Sequence, residues 1–307
     1  MEQQKKVALI ILNWNGKEDT LRCLASVEKL LKKNIVLQTF VVDNGSTDGS
    51  VDEIRKKFPF VWIIQNHENV GFTGGNNTAI HVALKENADY FWILNNDTVV
   101  EKYSLAELVD VFDDPTVGIA TSKIYFMKGN EFHYKRYKEN ERGKVLWYAG
   151  GIIDWNNVYG SHRGVDEVDH GQYEDIVETD YATGCSMMIA RKCIETVGMF
   201  DNRYFAYVED MDLSLRVKKF GWKILFVPTS ILWHKNAGST DRPGNDFHQY
   251  YMTRNRLIFG LTYAPIRTKV ALLKESLRFV LAGSVRQKQA IMDTLFKKFG
   301  RQYLWKK

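Results

Sequence analysis

The chain has little cysteine and little proline, three and five residues among 307. Cys23, Cys185 and Cys193 are scattered, odd in number and lack metal-site spacing, which excludes a disulfide framework and a cysteine zinc site. They read as small buried hydrophobes in a reducing compartment. No apolar run approaches the roughly 18 residues of a membrane span. The opening "MEQQKKVALIILNWNG" is no secretory signal, because its apolar run is short and Asn13 interrupts it. The expected location is therefore the cytoplasm. No G-x-G-x-x-G follows the first apolar segment, and no G-x-x-x-x-G-K-[ST] occurs anywhere, which argues against a dinucleotide dehydrogenase and a P-loop NTPase. Internal repeats and low-complexity segments are also missing.

What is present is ample apolar material, 45% of residues with 13% aromatic, enough for a sizeable core. "VALIILNW" (7–14), "QTFVVDNG" (38–45), "FVWIIQN" (60–66) and "DYFWILNND" (89–97) are short, continuous apolar strands. Helical spacing separates them at 17–31, 48–58 and 74–87, with Ser46 or Asp48 as the cap of the second helix. Such alternation predicts an α/β fold, a Rossmann-like and mostly parallel sheet with helices on both faces. A helix, a turn and a strand follow over 104–126, then helices at 190–201 and 208–222, and a strand at 223–234. Residues 127–178 form a polar excursion rich in Tyr, Trp and His, long enough to be functional.

Polar clusters fall at matching places. Asn13, Asp43-Asn44, Asn66 and Asn95-Asn96-Asp97 each close a predicted strand. In an open parallel sheet the ligand crevice lies outside the carboxyl ends of the strands, so these clusters define one edge. Each also has a plainer reading. Asp43 is either a turn and cap residue or an acceptor for a base or ribose. Asp97 is either a turn aspartate or a ligand for a hard cation that shares a substrate diphosphate. Glu209, Asp210 and Asp212 open a helix, where acids favour the dipole, yet crowded acids also raise one another's pKa and suit a general base. His234, at a strand end, is either a satisfied hydrogen-bonder or a ligand. Asp212 and Arg216 form a structural i,i+4 pair.

In order, "NWNG" (13–16), "VDNGSTD" (42–48), "NVGFTGGNN" (69–77), "LNND" (94–97), "TGC" (183–185), "FAYVEDMDLSLR" (205–216) and "WH" (233–234) resemble glycosyltransferase family 2. The set covers about residues 6–262. The "NND" form and "GGIID" (150–154) look most like the rhamnosyltransferase-like branch. The resemblance implies a GT-A fold and inverting transfer from a nucleotide diphosphate sugar, with dTDP-rhamnose or a UDP-hexose as donor. A hydroxyl of a saccharide or lipid-linked saccharide would accept the sugar, in cell-surface polysaccharide synthesis. By position, Asn13 and Asp43 border the base, Asn76 and Asn77 lie near the nucleotide, and Asn96 meets ribose. Asp97 and His234 hold Mg2+ or Mn2+. Asp210 is the catalytic base, and Thr183, Gly184, Cys185 and Glu209 lie where donor and acceptor sugars meet.

This sequence departs from the family pattern at Asn95 and Asn96, which are Asp in many members. It also has "YYMTRNR" (250–256) where processive synthases carry Q-x-x-R-W, so transfer is expected to be non-processive. Arg254 or Arg256 is the candidate diphosphate contact. The rival readings are a sugar nucleotidyltransferase, which would need a Gly-rich basic loop that "NWNGKED" lacks, and a non-catalytic nucleotide-sugar-binding module.

Residues 267–307 carry eleven Lys/Arg against Glu275 and Asp293, while the whole chain is only +5, so the body is mildly acidic. The division expected is a catalytic domain over 1–262 and a basic amphipathic helical tail over 263–307. Such a tail suits an anionic membrane surface at the inner face of the plasma membrane. The acidic body argues against nucleic acid.

Overall fold

The computed structural model describes residues 4–235 and 245–302. Its strands are β1 (Lys5–Asn13), β2 (Ile35–Asp43), β3 (Trp62–Gln65), β4 (Tyr90–Asn95), β5 (Thr98–Val100), β6 (Val117–Phe126), β7 (Leu146–Tyr148), β8 (Gly151–Asp154), β9 (Tyr159–His162), β10 (Val177–Glu178), β11 (Ser186–Ala190) and β12 (Lys223–His234). Its helices are α1 (Lys17–Val27), α2 (Ser50–Lys57), α3 (Gly71–Lys85), α4 (Ser104–Asp110), α5 (Arg191–Val197), α6 (Glu209–Lys219), α7 (Asp246–Tyr263), α8 (Ile266–Ala282) and α9 (Val285–Leu295).

The main sheet runs β10-β12-β6-β11-β4-β1-β2-β3. β3, β2, β1 and β4 are mutually parallel, as are β6 and β12. β11 lies between β4 and β6 and is antiparallel to both. The sheet is thus mostly parallel with one reversed strand at its centre. Apolar residues alternate between its faces along β1. Val7, Leu9 and Ile11 join the α1 and α4 side; Ala8 and Ile10 join the α3, α5 and α6 side. Both faces are dry, which is why the strands read as unbroken apolar runs. Pro228 sits in the β12 register shift between Val227 and Ile231, where a missing N–H costs no ladder bond.

Several boundaries differ from the sequence reading. α1 ends at Val27 rather than 31, and α3 begins at Gly71, three residues earlier than expected. The N-cap of α2 is Gly49, and Asp48 instead accepts from the Ser50 N–H at 3.0 Å. The excursion over 127–178 contains β7, β10 and the separate β8-β9 hairpin.

The C-terminal helices pack on the body. Leu272 of α8 and Ile291 of α9 share a core with Tyr181, Tyr204 and Phe259. Tyr250 donates to the buried Asp293 at 2.7 Å. The boundary expected at 262 falls inside α7. The last five residues of the expected tail lie outside the described residues. Among the described residues no helix is long and apolar enough to cross a membrane.

Candidate active site

At the carboxyl ends of β1 and β4 lies a cavity of about 450 Å³, within the usual range of a small-molecule site. Asn96, Asp97, Thr183, Gly184, Cys185, Glu209, Asp210 and His234 all line it. These residues come from four separate stretches of chain, and the sheet explains the convergence. β5 pairs antiparallel with β12 in a register that sets His234 opposite Thr98, and the Lys235 N–H donates to the Asp97 carbonyl at 2.9 Å. Asp97, in the turn between β4 and β5, is thereby carried to His234. Because β11 is reversed, Thr183–Cys185 reach the same edge by preceding a strand instead of following one.

His234 Nε2 and Asp97 Oδ1 are 3.0 Å apart, with both side chains buried. Burial alone penalises both charges, yet the pairing prevails. Asp97 is held below the usual carboxylate range by His234, and His234 is raised well above the usual imidazole range by Asp97. Among the described residues, buried His234 Nδ1 has no hydrogen-bond partner. Trp147 packs edge-on against the imidazole, with ring centroids 4.6 Å apart.

A carboxylate oxygen and an imidazole nitrogen suit a divalent cation of the Mg2+ or Mn2+ kind. Their separation matches adjacent ligands around an ion with bonds of about 2.1 Å. Among the described residues no cluster of three or more His, Cys, Asp or Glu forms a metal site. The pair therefore fits an ion that takes its other ligands from substrate oxygens and water.

Asp210 and Glu209 open α6. Asp210 accepts from the Gly184 N–H at 3.2 Å and from the Met211 N–H at 2.8 Å. Among the described residues, buried Glu209 Oε2 has no hydrogen-bond partner. Burial raises both carboxyls, and the Asp210 charge raises Glu209 further, well above its ordinary range. The two backbone donors hold Asp210 down, so Asp210 ionises before Glu209.

Asn96 lines the cavity and donates to Thr20 Oγ1 at 2.9 Å, which donates to Asn13 Oδ1 at 2.8 Å. Asn13 and Asp43 lie behind this wall, not on it. Asn13 donates to Asp43 at 2.8 Å and to Ser50 at 2.8 Å; the other Asp43 oxygen accepts from the Ser46 N–H at 3.0 Å. Both are almost fully buried, and their polar atoms hold the 43–50 turn. Asn76 and Asn77 are likewise absent from the lining. Asn77 ties α3 to Phe200 and Asn202, and Asn76 bonds the Phe72 carbonyl while its own Oδ1 has no partner.

Neither arginine proposed for the diphosphate reaches the cavity. Arg254 is completely buried and spends its guanidinium on the carbonyls of Gly300, Arg203 and Tyr204. Arg256 bonds the Asn157 carbonyl and Glu275, and lies over the Tyr159 ring. The family resemblance placed them near the site without showing which way α7 turns.

The cavity also includes Asn44, read from sequence at a strand end, and residues not singled out there, among them Trp14, Asn69, Phe72, Trp147 and His162. Trp147 and His162 come from the aromatic-rich excursion, whose composition was the available signal. His162 Nδ1 meets the Trp147 carbonyl at 3.0 Å, and burial pushes its pKa down to about 4, so the ring is neutral.

Comparison with known proteins agrees with this architecture. The sequence profile described as "Glycosyl transferase family 2" matches residues 8–194. The chain is 26% identical over 235 residues to the N-acetylglucosaminyl-diphospho-decaprenol L-rhamnosyltransferase of Mycobacterium tuberculosis H37Rv, covering 72% of this chain and 73% of that one. It is 23% identical over 255 residues to the low-salt glycan biosynthesis hexosyltransferase Agl10 of Haloferax volcanii, covering 82% and 74%. Among solved structures it resembles GalNAc-T7 with UDP, GalNAc and Mn2+, at TM-score 0.61 and 16% identity. That match covers 92% of this chain but only 57% of the other. It also resembles the mannosyltransferase PcManGT from Pyrobaculum calidifontis with GDP-Man and Mn2+, at TM-score 0.53 and 15% identity, covering 95% and 74%. These likenesses establish the GT-A fold. With the family profile spanning more than half of the chain, the protein belongs to glycosyltransferase family 2 and is a rhamnosyltransferase-like glycosyltransferase.

Proposed function

We propose that this enzyme is an inverting, metal-dependent, non-processive glycosyltransferase. It moves a sugar from a nucleotide diphosphate donor, dTDP-rhamnose or a UDP-hexose, to a hydroxyl of a saccharide or lipid-linked saccharide in cell-surface polysaccharide synthesis. The observation that carries this reading is that the Asp97–His234 pair and Asp210 line one cavity. Asp97 and His234 would hold Mg2+ or Mn2+, which when bound neutralises charge on the leaving diphosphate. Asp210 takes the proton from the acceptor hydroxyl, and Glu209, still protonated, keeps a second negative charge away from it. The acceptor oxygen attacks the anomeric carbon from the face opposite the leaving group, so configuration inverts in one displacement. Cys185 is an unsuitable nucleophile because burial raises its thiol pKa. Asn96 faces ribose. Trp147 and His162 make the acceptor wall, Trp147 as an apolar face for a sugar ring and His162 as a neutral hydrogen-bonding group.

A lipid-linked acceptor accords with the C-terminal helices. Ile266, Val270, Leu273, Leu277 and Leu281 form an exposed apolar row along α8, each between 45% and 78% accessible. Arg267, Lys274 and Arg278 flank it. Both tail acids are engaged elsewhere, Glu275 with Arg256 and Asp293 with Tyr250. The outward face is therefore apolar and cationic, as for a helix lying in an anionic membrane surface. This reading places the enzyme in the cytoplasm, peripheral on the inner face of the plasma membrane.

The deciding experiment is a calorimetric screen of dTDP- and UDP-sugars with Mn2+, followed by turnover of any binder by the Asp210→Asn variant. Donor binding with lost turnover supports the proposal. Normal turnover removes Asp210 as the base, and metal-independent binding removes the role of Asp97 and His234.

A further inference from the structure

The loop between Tyr204 and α6 is strained. Phe205, Tyr207 and Val208 have φ of 68°, 69° and 73°. Left-handed backbone is uncommon for non-glycine residues, and in β-branched Val208 it is an outlier. Val208 is the N-cap of α6, immediately before Glu209 and Asp210. Phe205, Ala206 and Tyr207 line the cavity. Such a conformation persists only where surrounding bonds impose it.

Those bonds come from α7. Asn255 Nδ2 donates to the carbonyls of Tyr204, Ala206 and Tyr207 at 2.9, 2.7 and 2.8 Å. The neighbouring Arg254 donates to the carbonyls of Arg203 and Tyr204 at 2.8 and 2.7 Å, and to Gly300 at 2.7 Å. Its Nε donates to Asn255 Oδ1 at 3.0 Å, which fixes the amide the right way round. Both residues are wholly buried. On the other side, the Phe205 carbonyl accepts from the Phe72 and Thr73 N–H groups at the start of α3. A side chain at Gly71 would lie 2.5 Å from that carbonyl, so the approach needs glycine. The loop is thus held between α3 and α7.

We infer that Arg254 and Asn255 are positioning residues, which hold the 204–208 loop in its left-handed conformation and through it set Asp210 in the cavity. The inference rests on the reading of Asp210 as the base. Apart from the bond between them, their hydrogen bonds go to backbone carbonyls, so neither need touch substrate.

The test compares Asn255→Ala and Arg254→Lys with the full-length wild type. Lysine keeps the charge but cannot span Gly300 and Tyr204 together. Leu272→Ala serves as a destabilised control, since Leu272 packs in the α8 core. Three quantities are measured: amide hydrogen exchange over 203–212, Kd for UDP and dTDP with Mn2+, and kcat. The expected result is faster exchange in the loop and a fall in kcat on the order of 10²-fold, as for a misplaced catalytic group. Nucleotide Kd should stay within about twofold, and Leu272→Ala should keep its kcat. Should Asn255→Ala fail to fold, Arg254→Lys should give the same pattern more weakly. Unchanged loop exchange overturns the inference, whatever Asp210 proves to do. So does unchanged kcat, or an equal loss of kcat in the Leu272→Ala control at matched Tm. A fully active Asp210→Asn variant would instead remove the base reading, and loop exchange would still report on the clamp.

Discussion

Asp97 and His234 stand far apart in the sequence yet meet at 3.0 Å in the fold, joined by the pairing of a three-residue strand with the end of β12. The two form a buried ion pair, and on the proposed reading they are also the two protein donors to the metal.

Replacing Asp97 by Ala should therefore weaken nucleotide binding in Mn2+ by at least about tenfold, comparable to losing a metal ligand's support. Binding without metal should hardly change. His234→Ala should behave alike, and the double variant should be no worse than either single one, because both remove one unit. Calorimetry with and without Mn2+ reads all three.

Asp210→Asn should lower kcat by about 10²–10⁴-fold, the usual contribution of a positioned base. The acid limb of kcat/KM should lie above the ordinary aspartate value of 3.8, since burial raises the Asp210 carboxyl. Activity falls as pH drops through that raised pKa. A limb at the ordinary value would count against Asp210.

Glu209 makes the opposite demand on stability. Its folded-state pKa is raised above the ordinary 4.5, so the folded chain binds this proton more tightly than the unfolded one. Its contribution is unfavourable once pH passes the unfolded value, and it grows until the folded pKa is passed. Glu209→Gln should raise Tm at about pH 8, and the gain should vanish toward about pH 4, where both states are protonated. Thermal melts across that range decide.

If the excursion supplies the acceptor wall as proposed, Trp147→Ala should raise the acceptor KM while leaving nucleotide Kd unchanged. A matching loss of nucleotide affinity would move Trp147 to the donor side. Initial rates at varied acceptor and a titration with UDP and Mn2+ separate the two.

Leu273→Glu with Leu277→Glu should abolish co-sedimentation with anionic phospholipid vesicles and leave nucleotide binding intact. Wild-type protein that does not sediment with such vesicles would exclude membrane docking.

Much of the architecture was legible because it rests on period and punctuation. Four apolar strands end in Asn or Asp, and a parallel sheet gathers such ends at one edge. Asp97 and His234 were placed at that edge because they close strands, whereas Asp210 was picked out by the acid cluster that opens a helix and by the family resemblance. β11 was not, since "SMMIA" is a short apolar run that periodicity cannot distinguish from a buried helix segment. Direction of side chains was equally hidden. Asn13 and Asp43 sit at strand ends like Asp97, yet they bond each other and face inward. Arg254 and Arg256 occupy a plausible sequence position, yet burial and backbone carbonyls claim them. Such outcomes depend on rotation about a helix or turn, which a single sequence does not encode.

The bond from Arg254 to the Gly300 carbonyl has a practical consequence for protein engineering. Gly300 also donates its own N–H to Arg203, so the chain's last described turn is stitched to the start of the catalytic loop. Trimming the basic helices to obtain a better-behaved enzyme would cut that stitch, and on the inference above it would loosen the loop that precedes Asp210. Solubility is better sought by recolouring the outer side of α8 with polar residues, and affinity tags are better fused at the amino terminus.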